Sequence, residues 1–136
     1  MIRRSKKHPQ GEALRYIANA REILGKIPID GDFYADVKPV REAFGTAYLA
    51  ILEAIDEVLI RDKGLTIKEL PQSIDSYRAA LQKHISVHNG KLLKDFERLY
   101  GALHIAGYYR GLITETNSVK DYLKTTERFI KKLIGN

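Results

Sequence analysis

The side chains able to exchange protons near neutrality are four histidines, His8, His84, His88 and His104, since an unperturbed imidazole titrates at about pH 6.5. His8 sits in a basic leader and His88 beside an Asn-Gly turn signal, both settings in which solvent is the expected surrounding. His104 differs. It falls four residues after Tyr100 and four before Tyr108, so on a helix the three rings form one row next to the core-facing stripe. A half-buried His104 hydrogen-bonded to a tyrosine is read as a packing feature, because nothing else in the sequence completes a catalytic set. The chain has no cysteine, which excludes disulfides, thiolate metal sites and cysteine nucleophiles and fits a reducing cytoplasm.

The carboxylates give no metal pattern. Glu42, Glu53 and Glu57 share one long helical segment, but a two-metal bundle site needs Glu-x-x-His pairs on facing helices, and none occurs. They are expected to form a solvated stripe. Asp30-Gly31-Asp32 has no later ligands of a calcium loop and reads as a turn. The phosphate-cradling glycine patterns and the zinc-protease helix pattern are missing as well, so no metal and no cofactor is expected. Eight tyrosines and no tryptophan raise the idea of base stacking, above all at Tyr108-Tyr109 beside Arg110. Tyrosines at helical spacing that bury the ring and wet the hydroxyl are the simpler reading.

The formal net charge is +6, and a basic chain invites a nucleic-acid partner. Arg3, Arg4, Lys6 and Lys7 account for most of that excess, so the remainder is only weakly basic. Residues 1–9 are expected to be a solvated, flexible tail, with those four cations as weak nucleic-acid contacts. No apolar run approaches the roughly 20 residues that span a bilayer, and no apolar stretch follows the basic residues as in a secretory signal. A cytoplasmic protein without membrane contact is expected.

The elements that must position these residues are helices around a single core, in a domain over residues 10–136. Ala13, Ile17, Ala20, Leu24 and Ile27 step by three or four, predicting a helix over residues 10–26 that Pro28 ends. A loop follows through residues 30–34. The longest and most apolar helix is predicted over residues 36–63, capped by Asp36 with Pro39 in its first turn and stopped by Gly64. Val40, Phe44, Tyr48, Ile51, Ile55 and Val58 form its stripe, Leu49, Leu52, Leu59 and Ile60 carry apolar surface further round, and small residues admit close neighbours. It is therefore the central helix. A shorter helix is predicted over residues 73–85, with Ile74, Tyr77 and Leu81 inward, and residues 87–90 form a tight connection. A fourth helix covers residues 91–109, with Leu92, Phe96, Leu99, Leu103 and Ala106 facing in. Ser118 and Asp121 resemble a capping box for the fifth, which buries Val119, Tyr122, Thr126, Phe129 and Leu133. Short connections between amphipathic helices imply an all-α, up-and-down bundle of four long helices and one shorter one.

The helix order, with the central stretch Arg41-Glu-Ala-Phe-Gly-Thr-Ala-Tyr48, resembles the HEPN superfamily of bacterial helical domains. More closely, the chain resembles a group of small Bacteroidetes proteins classed as a domain of unknown function. The matching stretches are residues 36–56, Ser73-Ile-Asp-Ser-Tyr77 with Lys83-His84, and Leu103-His-Ile-Ala-Gly-Tyr108 with Gly111. The HEPN resemblance implies pairing into a homodimer and, in some members, partnership with a nucleotidyltransferase-like protein. It also implies a metal-independent ribonuclease in which an arginine and a histidine a few residues on meet at the dimer cleft, to stabilise phosphorane-like charge and move the proton of a 2′-hydroxyl.

Arg98 with His104 fits that spacing, as do Arg78 with His84 and Arg3 with His8. Residues six apart on a straight helix point about 120° away from one another, so Arg98 and His104 would need a distortion or a second chain to converge. The leading expectation is a non-enzymatic interaction or accessory module that forms a homodimer. The alternatives are a toxin-like ribonuclease using Arg98 and His104, or less favourably Arg78 and His84, and an RNA-binding domain without cleavage.

Overall fold

A computed structural model describes residues 11–86 and 90–135. Its elements are α1 (Glu12–Gly25), a two-stranded hairpin of β1 (Ile29–Asp30) and β2 (Phe33–Tyr34), α2 (Val37–Lys63), α3 (Ile74–Ala80), α4 (Lys91–Leu99) and α5 (Thr116–Gly135). Two helices change their winding partway. The chain of α3 runs into a π turn at Leu81–Ile85, and that of α4 into a π-helical segment, Tyr100–Tyr109. The protein is an all-α bundle, as the apolar periodicity predicts. The Arg3, Arg4, Lys6, Lys7, His8 and His88 assignments, and most of the 87–90 connection, lie outside the described residues.

The central helix is central in fact. α2 packs against α1, the π segment and α5, and its stripe from Val40 through Val58 is buried together with Leu59. Ala43, Ala47, Ala50 and Ala54 are fully buried; spaced by four, three and four, these short side chains line one side of the helix and let a neighbour come close and share dispersion contacts. Asp36 caps α2 by accepting the Lys38 backbone N–H at 3.1 Å, and Gly64 closes it at φ 70°, where a Cβ would be strained. α1 buries Ala13, Ile17, Ala20 and Leu24, the face its spacing defines. Ser73 accepts the Ser76 N–H at 3.1 Å and opens α3.

Three local readings change. Residues 29–34 form a hairpin rather than a plain loop, with Ile29 opposite Tyr34 and Asp30 opposite Phe33. The Tyr34 N–H donates to the Thr114 carbonyl and the Thr116 N–H to that of Asp32, both at 2.9 Å, so the hairpin is tied to the start of α5. That helix begins at Thr116, ahead of Ser118, whose hydroxyl donates to the Glu115 carboxylate at 3.0 Å instead of capping. Glu57 is buried, not on a solvated stripe: it accepts the Gly11 N–H at 3.0 Å and faces Arg61 at 3.7 Å. Its neighbour Asp56, also buried, accepts the Tyr77 hydroxyl at 2.9 Å. These carboxylates hold α1 and α3 to α2, since a buried charge persists only where partners satisfy it.

Candidate functional site

The π segment builds an aromatic face. Its wider winding brings residues four apart almost directly above one another, and its row is Tyr100, His104 and Tyr108. Tyr100 stacks on His104 with centroids 5.4 Å apart and planes at 24°, and His104 on Tyr108 at 5.8 Å and 17°. From α2, Tyr48 lies against this row, 4.7 Å from His104 and 5.7 Å from Tyr100.

Two glycines permit this fit, one on each helix. A Cβ on Gly107 would lie 2.4 Å from the Phe44 ring, and one on Gly45 would lie 2.8 Å from that of Tyr108. The backbones approach here more closely than any larger residue allows. Arg41 then fastens the end of the segment, donating to the Tyr108 carbonyl at 2.7 Å and the Tyr109 carbonyl at 2.8 Å. Those acceptors belong to a helix end that has no further turn to serve.

Beside the row opens a groove of about 420 Å³, bordered by Glu42, Thr46, Leu49, His104 and Tyr108 over Tyr48. Burial pushes the Tyr48 phenol up to about 12, with Tyr100 adding to the shift, Arg78 opposing it and Glu97 adding the least. At neutral pH Tyr48 is therefore a protonated hydrogen-bonding group and not a base. His104 is half-buried among ring faces. This surface can stack a planar or apolar group; it does not set a nucleophile against a base.

The arginines and histidines drawn together by spacing part company in space. Arg98 is largely exposed and borders a depression shared with Thr125, Arg128 and Phe129 of α5, while His104 borders the α2 groove. The π winding thus does not join them within one chain. His84 borders another surface, with Asp62, Lys63 and Leu133. Arg78 instead lies 5.3 Å from the Tyr100 ring and donates to Glu97 at 2.7 Å and Asp75 at 2.9 Å. One member of each of these two pairs therefore reaches the aromatic row, Arg78 at its Tyr100 end and His104 in its middle. Spacing could flag the Tyr100–His104–Tyr108 row, but no local pattern announces that Tyr48 or Arg78 joins it. Among the described residues no cluster of three or more histidines and carboxylates is arranged to hold a metal, and no helix is long and apolar enough to cross a membrane.

Fold and site together define a class: a small bundle wound on one buried helix, with an aromatic groove where that helix meets a π-helical segment. The chain belongs to the family described as Domain of unknown function (DUF5618), whose model matches residues 8–134. It is also similar to a solved structure, a protein of unknown function from Dyadobacter fermentans, at 29% identity and a TM-score of 0.71, with 91% of each chain covered. No curated protein matches the sequence.

Proposed function

We propose that this protein is a non-enzymatic helical interaction module of the bacterial cytoplasm that works as a homodimer, paired across the aromatic groove. The observation that carries this reading is Leu49, which is 50% exposed in the middle of the central helix and borders the groove opposite the partly exposed Tyr108. Tyr109 and Leu112, further along the chain, are exposed as well. Exposed apolar surface of this kind is the usual mark of an interaction site. A second copy suits it because a two-fold interface must be self-complementary, and Arg41 and Glu42 put both signs of charge beside the groove. The resemblance to HEPN domains adds support, and a nucleotidyltransferase-like protein is the partner that it suggests for the assembled pair.

Sedimentation equilibrium of the purified chain tests the reading. The expected species is a dimer, and Leu49→Glu, a change at an exposed position, is expected to give a folded monomer. A parent protein that stays monomeric at high concentration overturns it.

The stacked row favours a second reading, in which RNA bases lie against His104 and Tyr108. In its enzymatic form Arg98 and His104, or Arg78 and His84, from two chains would share a cleft. RNA cleavage by the parent that disappears in folded Arg98→Ala and His104→Ala variants would put a ribonuclease in place of the interaction module.

A further inference from the structure

A second cleft, sharing no bordering residue with the aromatic groove, lies where the end of α1, the hairpin and the first half of α5 meet. It encloses about 380 Å³, within the range of small-molecule sites. Its floor is Leu24, Ile27, Tyr34 and Leu123, all core residues that still border the cleft. Its polar rim has a single sign: Arg21 from α1, and Lys120 and Lys124 from α5. No carboxylate borders it.

The three cations are not equivalent. Arg21 is committed to Glu127, which Lys131 also meets at 3.1 Å, and both contacts hold the Glu127 carboxyl below its ordinary range, Arg21 foremost. Lys120 and Lys124 have no carboxylate partner among the described residues, and their spacing of four sets them on one side of α5. The Tyr34 hydroxyl is a further polar group without a hydrogen-bond partner among the described residues, on a side chain only 6% exposed. An apolar floor, one unpartnered hydroxyl on a largely buried side chain and two cations without a carboxylate partner at the mouth call for a ligand with an apolar body and an anionic head.

We propose that this cleft binds a soluble amphipathic carboxylate, its alkyl or aryl body on Leu24, Ile27 and Leu123 and its carboxylate between Lys120 and Lys124. Gly25 provides a way to close the cleft. It borders the cavity at the end of α1, its φ lies outside the positive region, and a Cβ there would meet nothing within 4 Å. A large side chain at this position meets no strain at its root and has the cleft beside it.

The test is calorimetric titration of the full chain with decanoate below its micellar range, beside decanol and decyltrimethylammonium. Decanoate is expected to bind saturably at one per chain, and the cationic amphiphile roughly tenfold or more weaker. Lys120→Gln with Lys124→Gln should weaken decanoate about tenfold while leaving decanol unchanged. Gly25→Phe should abolish binding of both. Equal binding of the two charged amphiphiles, or an unaltered double lysine variant, overturns the proposal. If Gly25→Phe does not fold, the lysine variant decides, because both of its positions are exposed. A monomeric parent that binds decanoate would sink the homodimer and leave this site standing.

Discussion

At the scale of single residues, the group with the clearest consequence is Tyr48. Its phenol rises from 10.0 to about 12 on folding, chiefly through burial. The folded state therefore keeps a proton that the unfolded chain releases first. This stabilisation is whole below pH 10 and is lost as the pH climbs from the unfolded value through the folded one. The shift corresponds to at most about 2–3 kcal/mol. Equilibrium urea unfolding at stepped alkaline pH should show the parent losing stability over that window and Tyr48→Phe losing less. An identical alkaline slope in the two proteins would show that Tyr48 is not the group responsible. His104 illustrates what a sequence can reveal about such a site. Its place in a row with Tyr100 and Tyr108 follows from spacing alone. The expected hydrogen bond to a tyrosine is replaced by stacking between rings, because the π winding sets the side chains face to face rather than edge to edge.

At the scale of elements, the aromatic face depends on two backbones meeting at Gly45 and Gly107. A methyl on Gly107 would collide with the fully buried Phe44 ring, which has no free space into which to turn. Gly107→Ala should cost about 1–3 kcal/mol as overpacking. Gly101→Ala, in the same π segment but with nothing within 4 Å of its Cβ, should be neutral or stabilising by up to about 1 kcal/mol. Thermal unfolding of the pair separates crowding from any general intolerance of the segment; equal losses in both would refute the crowding account. The stripes of α1 and α2 were legible because burial on one side of a regular helix leaves a repeat in the sequence. The π winding was not, since Leu99, Leu103 and Ala106 suit an α-helix equally well, and the Phe44 ring packed against Gly107 lies on another helix. The burial of Asp56 and Glu57 was hidden for the same reason: their partners, Tyr77 and the Gly11 N–H, are 21 and 46 residues away.

At the scale of the whole molecule, the core and the proposed homodimer make separate demands on α2. Its buried side completes the core of a single chain, as the continuous set from Val40 to Leu59 shows, so folding does not require a second copy. Leu49 stands outside that core with half of its surface exposed; burial of that half can come only from outside the chain. Association then acts on stability by mass action, and a folded dimer must melt at a temperature that depends on protein concentration. Above the dissociation constant, each tenfold increase should add roughly 0.7 kcal/mol per chain, half the tenfold equivalent because two chains share it. For a domain of this size that raises the midpoint by about 2 °C. Leu49→Glu should remove the concentration dependence while keeping the midpoint that the parent reaches at high dilution, because the core it leaves behind is intact. A concentration-independent midpoint in the parent would mean that the exposed face of α2 is not closed by a second copy. A concentration dependence that survives in Leu49→Glu would place the interface elsewhere on the bundle.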